Sequence, residues 1–347
     1  MATARPTTTS ERTLLEAARD GDEHAFRRIV EGYHGELHAH CYRMLGSIQD
    51  AEDALQDVLL RAWRGLPDFG GRSSLRTWLY KIATNVCLDA IARRAKRILP
   101  SDYGPVETRG AVDPGQPLVE SVWIEPYPDE MLGLSSGYAS PEARYEQREA
   151  VELAFIAALQ HLPATQRAVL ILRDVLGFSA REVAAWLDTS VASVNSALQR
   201  ARRAADERLP ERSQQETLRS LGDEKIEELV NAYIDAWANG DVEALIALLA
   251  EDVVFSMPPW ASWWRGRETV AWFAHHAKEA CPQSHPVMVR ANGQIALAYY
   301  IQNAETERYT AAAIDVISFD DERIRDITAF VMPEMFERFG LPGEIAL

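Results

Sequence analysis

The chain has 347 residues, 47% hydrophobic and 25% charged, a size and composition that suit two or three folded domains better than a single core. It has no run of about 18 apolar residues, so no membrane-spanning helix is expected. A net charge of −16 argues against a uniformly basic nucleic-acid binder, but lysine and arginine cluster at 61–97 and 200–203 while 101–160 and 215–255 are acid-rich, and such binding is decided by local patches.

Residues Ala2–Ser10 are small and polar with one arginine and lack an apolar signal core, which predicts a cytoplasmic protein. Residues 11–45 read as two helices, the first with Leu14, Leu15 and Ala18 and the second opening on Phe26, Ile29, Val30 and Tyr33. His34 and His38 share a helical face near His40 and Cys41. No partner at ligand spacing accompanies them, so helix packing is expected and no metal. Cys41, Cys87 and Cys281 lie far apart without a C-x-x-C, which predicts neither a disulfide framework nor a zinc ribbon. No cofactor is expected.

Residues 46–97 pair an acidic helix with a basic, aromatic one. Ser47 and Asp50 make a capping-box-like start, and Leu55, Val58, Leu59 and Ala62 form one apolar stripe. Glu52, Asp53, Gln56 and Asp57 fall largely off that stripe. After a break at Gly65–Gly71, a second helix is predicted from about Ser74 to Arg94, with Leu75, Leu79, Ile82 and Val86 inward. Arg72, Arg76, Lys81, Asn85, Arg93, Arg94, Lys96 and Arg97 are basic or polar, with Trp78 and Tyr80 interleaved and Asp89 the only acid between Arg72 and Arg97. Cations beside aromatic rings suit single-stranded nucleic acid, whose phosphates need charge and whose unpaired bases need stacking surfaces.

The run A-E-D-x-x-Q-D (Ala51–Asp57) followed by F-x-x-R-S-S-L-x-T-W-L-Y-x-I-A-x-N-x-x-x-D (Phe69–Asp89) resembles region 2 of bacterial sigma factors, in particular the extracytoplasmic-function group of the sigma-70 family. The resemblance implies that the acidic helix docks on the β′ clamp helices of core RNA polymerase through Asp53, Gln56 and Asp57. It also implies that Phe69, Arg72, Ser73, Arg76, Trp78, Lys81 and Asn85 melt and read the promoter −10 element.

Residues 99–141 are punctuated by Pro100, Pro105, Pro114, Pro117, Pro126, Pro128 and Pro141 without sustained periodicity, so they are expected to be an extended linker, partly ordered only in a complex. By the same resemblance it threads the polymerase, with Asp102, Glu107, Asp113, Glu120, Glu125, Asp129 and Glu130 imitating nucleic acid.

From 142 to 209 a second helical unit is predicted. Ser179 and Glu182 show the S-x-x-E cap of a short helix, Ala180–Leu187; Asp188–Ser190 turns the chain, and a helix runs from Val191 to about Arg208. This is a helix-turn-helix. Burial of Val194, Ala197, Leu198 and Ala201 exposes Ser193, Asn195, Ser196, Gln199, Arg200 and Arg203 toward a major groove, where amides and guanidinium groups read base edges. The segment resembles sigma region 4, which implies −35 recognition and contact with the β flap.

Residues 210–223 are predicted as a second linker, and 224–347 as α+β. Helices at 226–237, after Asp241 and at 267–279, a strand at 253–257, and a hairpin around Asn292-Gly293 lead into strands at 308–319 and 323–332. The order and the N-x-Y-x-x-A-W-x-x-G-D-x-x-A-L start (Asn231–Leu245) resemble the cone-shaped SnoaL-like fold, which implies an internal pocket. Trp260, Trp263, Trp264, Trp272, His275 and Tyr299 are its candidate lining, with His276 and Asp315 as further polar groups.

The expected fold is therefore multi-domain: two all-α domains (11–98 and 142–209) and a C-terminal α+β cone (224–347). The expected function is promoter-specific transcription initiation without catalysis by the chain itself. Its partners would be core polymerase and promoter DNA, with an anti-sigma factor or a small ligand as further regulators. The alternative is a SnoaL-like enzyme or sensor targeted to DNA by its N-terminal half.

Overall fold

The structure is a computed structural model describing all residues except 1–8, 72, 108–114, 119–121, 133–145, 281–282, 304–306 and 347. The chain divides into two compact units, Met1–Arg97 with Met131–Leu209, and Ile98–Glu130 with Pro210–Leu347.

The first unit is all-α. It begins with α1 (Thr9–Arg19), α2 (Glu23–Glu31), α3 (His34–Leu45), α4 (Ile48–Gly65) and α5 (Leu75–Ile91). Residues 34–45 form a helix of their own because Gly32 and Tyr33 interrupt the two-helix run expected over 11–45. Every residue of α3 from Leu37 to Leu45 is buried, so it forms the centre of the bundle, with α4 and α5 packed on it. Gly46 ends α3 at φ 73°, and a side chain there would press on Gln160 and Arg97, so backbone conformation and close approach both require glycine.

Ser47 caps α4 by accepting the Asp50 amide at 3.1 Å, and Ser74 caps α5 by accepting that of Thr77 at 3.1 Å. The expected stripe of α4 is buried at Leu55, Val58 and Ala62, with Leu59 only half-buried. α5 buries more than its predicted face, because α3, α4 and a later helix all pack on it; Tyr80, Ala83, Thr84 and Cys87 are enclosed as well.

The unit continues with α6 (Leu153–His161), α7 (Ala164–Leu170, extended by a π-helical turn through Val175), α8 (Ala180–Trp186) and α9 (Val191–Asp206). The capping box at Ser179 and Glu182 forms in both directions, and α8 and α9 make the expected helix-turn-helix over Val183, Ala184, Val194, Ala197, Leu198 and Ala201.

These helices are fastened to α3. Arg43 donates from Nε to the Ala150 carbonyl at 2.9 Å, and Arg167 donates to the Met44 carbonyl and to Gln160 and Leu162. Burial pushes the Arg167 guanidinium down to about 10, still cationic at neutral pH.

The second unit is α+β. Besides a single helical turn at Pro100–Tyr103, its helices are α10 (Gln214–Leu221), α11 (Asp223–Asn239), α12 (Val242–Leu248) and α13 (Arg267–Ala280). The strands are β1 (Leu249–Ser256), β2 (Trp263–Arg265), β3 (Ser284–Ala291), β4 (Gln294–Gln302), β5 (Tyr309–Asp320), β6 (Arg323–Phe330) and β7 (Glu344–Ile345). The sheet order is β2-β1-β6-β5-β4-β3, with β7 on β5; β1 and β6 are parallel and the other pairs antiparallel. Positive φ at Asn292 (57°) and Gly293 (69°) closes the predicted β3–β4 hairpin. The core lies between the sheet and α11–α13, around Tyr233, Leu249, Trp264, Leu297 and Ile327.

Both linker expectations need correction. Residues 210–223 contain α10, whose Gln214 exchanges hydrogen bonds with the Phe319 backbone at 2.8 and 2.7 Å while Gln215 donates to the Gly293 carbonyl. Polar glutamines read as linker, but here they satisfy backbone groups at strand ends.

Residues 98–107, 115–118 and 122–130 are also ordered, as part of the C-terminal unit. Ile98 and Trp123 form a parallel bridge, Glu107 N donates to Trp263 O at 2.8 Å, and Leu118 N donates to Pro259 O at 3.0 Å. Tyr127 and Asn292 bond reciprocally, Tyr127 N to Oδ1 at 2.8 Å and Asn292 N to Tyr127 O at 2.7 Å. Asp129 accepts the Gly293 amide at 2.7 Å. Prolines removed the helical signal but did not prevent these extended segments from pairing with neighbouring backbone. The proposed nucleic-acid mimics Asp113 and Glu120 lie outside the described residues.

Candidate nucleic-acid interface

On α4, Asp53, Gln56 and Asp57 are exposed on one face while Ala54, Leu55 and Val58 fill the other. Their neighbour Asp50 is buried and serves a different purpose: Arg97 pairs with it at 2.6 Å and Arg94 pairs with it from the other oxygen. Arg94 also reaches Asp53 at 3.5 Å, and Arg61 pairs with Asp89 at 3.2 Å. The basic end of the second helix is thus partly spent on the acidic helix. That charge balance is decided by the packing of α4 against α5 and cannot be read from composition.

The −10 candidates gather around the start of α5. Phe69 is buried with its ring 5.0 Å from that of the half-buried Trp78, so Phe69 is core and supports Trp78 from below. Ser73 and Lys81 are exposed; Arg76, Trp78 and Asn85 are half-buried, and Arg72 lies outside the described residues. Arg76 is held on three sides: Glu36 Oε2 lies 3.0 Å from its Nε, the Tyr80 ring 4.7 Å from its Cζ and the Phe178 ring 5.2 Å. Tyr80 is a buried anchor and not an open stacking surface. Its hydroxyl donates to Glu36 at 3.1 Å, and burial pushes its pKa up. Beside it His40, hydrogen-bonded to Thr84 Oγ1 at 3.1 Å, is pushed down to about 3 by burial, then by Arg43 and Arg76.

A cleft of about 800 Å³ runs along this surface, lined by Phe69, Ser73, Trp78 and Lys81 on one side and Arg181 and Trp186 of α8 on the other. The −10 candidates therefore face the helix-turn-helix. Sequence reasoning missed Glu36, Phe178, Arg181 and Trp186, because nothing local marks residues that meet across separate helical segments.

On α9, Ser193, Asn195, Ser196, Gln199, Arg200 and Arg203 are all exposed. Ser190 caps the helix by accepting the Ser193 amide at 3.1 Å, and its hydroxyl also bonds that of Ser193 at 2.9 Å, so this candidate side chain is engaged within the cap. Arg202, between two candidates, is used internally as a two-point pair with Asp174 at 2.7 Å on both arms.

The predicted lining of the C-terminal pocket separates into different roles. Trp260 and Trp263 donate their indole N–H groups to the Gly115 and Gly104 carbonyls at 3.1 and 2.9 Å, so they hold the 98–130 segment. Trp264 stacks on Phe273 at 4.0 Å in the core, and Trp272 lies beside His276 at 4.3 Å. His275 is exposed, while Tyr299 points a buried hydroxyl inward. Among the described residues no group of three or more His, Cys, Asp or Glu side chains is placed to hold a metal, and no helix is long and apolar enough to cross a membrane.

Comparison with known proteins matches three families along the chain: Sigma-70 region 2 at residues 29–97, Sigma-70 region 4 at 146–204, and the SnoaL-like domain at 230–327. The chain is 39% identical over 335 residues to the ECF RNA polymerase sigma factor SigG of Mycobacterium tuberculosis, covering 94% of this chain and 86% of SigG. It is 28% identical over 200 residues to the ECF RNA polymerase sigma-E factor of Escherichia coli, covering 58% of this chain and 94% of sigma-E. In fold it is similar to the extracytoplasmic function sigma factor SigJ of Mycobacterium tuberculosis, with TM-score 0.56 and 22% identity over 89% of this chain and 96% of SigJ. With its two sigma regions followed by a SnoaL-like domain, the chain belongs to the ECF RNA polymerase sigma factors, which join core polymerase to promoter DNA and direct promoter-specific initiation.

Proposed function

We propose that initiation by this factor uses the exposed face of α4 (Asp53, Gln56, Asp57) toward core polymerase, the Phe69–Asn85 surface with Arg72 toward the −10 element, and the six exposed α9 residues toward the −35 element. The C-terminal domain modulates this activity by retaining the segment that joins the two sigma regions, and the protein acts in the cytoplasm, where polymerase is. The observation that carries the regulatory reading is the set of bonds from Trp260, Trp263, Asn292 and Gly293 to residues 104–129. A segment fixed by its own domain is not free to lie along the polymerase, so releasing it should favour the holoenzyme.

The experiment is run-off transcription with core polymerase, comparing the full chain with a Trp263→Phe, Asn292→Ala double variant. Loss of two hydrogen bonds at about 1 kcal/mol each predicts up to about 30-fold more of the released form. Product should rise at limiting factor concentration. An unchanged yield would remove the regulatory reading, and no product from the unaltered chain would remove the initiation reading.

A further inference from the structure

Where region 2 meets region 4 in the first unit, the residues after α5 and the turn between α6 and α7 enclose a cavity of about 380 Å³. That volume lies within the range of about 300–1,000 Å³ in which small ligands are bound. Arg94, Lys96 and Arg97 line it from the α5 side and His161 and Arg167 from the α6–α7 side, with Asp50 the one acid in the lining.

Arg167 sets the character of this cavity. It is 4% exposed, and its guanidinium donates to the Met44, Gln160 and Leu162 carbonyls and to the Gln160 side chain, all of them uncharged oxygens. Its Nε is buried without a hydrogen-bond partner, and no carboxylate bears on its charge. Unpartnered polar atoms in a protein interior are rare, and a buried cation is costly when no opposite charge accompanies it.

The remaining lining adds to that positive charge. Arg94 and Arg97 both pair with Asp50, so one carboxylate answers two guanidinium groups, and Asp53, the second partner of Arg94, lies outside the lining. The Lys96 ammonium bonds Nδ1 of His161 at 2.7 Å, joining the two sides of the cavity through an uncharged ring nitrogen. Four cations against one acid is a strong local surplus in a chain of net charge −16. A single carboxylate cannot match it. Phosphoryl oxygens carry several negative charges in a compact group and fit the planar fork of a guanidinium.

We propose that this cavity binds a small diphosphate-bearing anion, held by Arg94, Lys96 and Arg97 and neutralising the field of the buried Arg167. Such a ligand touches both sigma regions at once, so it holds them together in the free factor. Binding is measured directly and does not depend on the surfaces proposed for DNA.

The full chain is titrated calorimetrically, in buffer without divalent cations, with inorganic diphosphate, inorganic phosphate and acetate. Diphosphate should bind about tenfold or more tighter than phosphate, since it adds at least one hydrogen bond to a charged group, and acetate should bind more weakly than either. Lys96→Gln should weaken diphosphate about three- to tenfold, and Lys96→Arg should keep it within about twofold. Lys96 is exposed, and thermal unfolding confirms that both variants fold. Lys81→Gln and Arg200→Gln, on the surfaces proposed for DNA, should leave diphosphate affinity unchanged. The proposal is overturned if diphosphate does not bind at millimolar concentration, if phosphate or acetate binds equally well, or if Lys96→Gln binds diphosphate as the parent does. It is also overturned if Lys81→Gln or Arg200→Gln weakens diphosphate as much as Lys96→Gln, which would place the anion on a DNA surface.

Discussion

Phe178 closes the surface proposed for the −10 element against the helix-turn-helix, and replacing it with leucine isolates that closure. Its ring lies 5.4 Å from Tyr80 and 5.2 Å from the Arg76 guanidinium, both in region 2, and 4.7 Å from Trp186 within region 4. Leucine keeps the apolar volume that region 4 needs but removes the ring quadrupole. The lost edge-to-face pair is worth about 0.5–1.5 kcal/mol and the lost cation–π contact about 0.5–1 kcal/mol, together about 1–2.5 kcal/mol across the cleft. If the closed form dominates in the free factor, the binding-competent fraction rises about 5- to 70-fold, and apparent affinity rises by the same factor. Fluorescence anisotropy with a labelled single strand carrying a −10 sequence selected by the holoenzyme measures that affinity. A separate label pair replacing exposed Leu60 and Val191 by cysteine reports the opening, in a background lacking Cys281, since Cys41 and Cys87 are buried. Affinity unchanged within twofold, with no change in energy transfer, would refute the reasoning.

Two further outcomes concern stability. His40 is held at about 3 against an ordinary 6.5, so on acidification the unfolded chain takes up its proton first. Its contribution is complete above pH 6.5 and is lost between 6.5 and about 3, up to about 5 kcal/mol over the whole window. His40→Gln should flatten the dependence of the urea midpoint on pH between 4 and 7, and an equally steep profile would place the acid sensitivity elsewhere. Arg167→Met removes the donor that joins α7 to the end of α3 at Met44 and leaves several buried carbonyl oxygens unpaired. A loss of about 3 kcal/mol or more in denaturant unfolding is expected, at about 1 kcal/mol or more for each carbonyl left unpaired, and a loss under 1 kcal/mol would show that these bonds are replaceable.

Much of the secondary structure could be read locally. Ser47, Ser74, Ser179, Ser190 and Asp241 all cap the helices that they precede, and Asn292-Gly293 makes its hairpin turn, because caps and tight turns depend on a few adjacent residues. The exposed faces of α4 and α9 followed from apolar periodicity for the same reason. Trp260 and Trp263, expected to line a pocket, bind instead the backbone carbonyls of Gly115 and Gly104, partners far away in the sequence.

The sequence by itself thus determined the two sigma regions, the exposed candidate faces of α4 and α9 and the α+β character of the tail, since these rest on short-range spacing and family motifs. Tertiary structure alone decided that Asp50 neutralises Arg94 and Arg97, that Phe178 lies over Arg76, and that the proline-rich segment is paired with the C-terminal domain. Each of these joins groups separated by tens to more than a hundred residues. Such a contact depends on where packing brings two helices or strands together, and spacing along one segment carries no record of it.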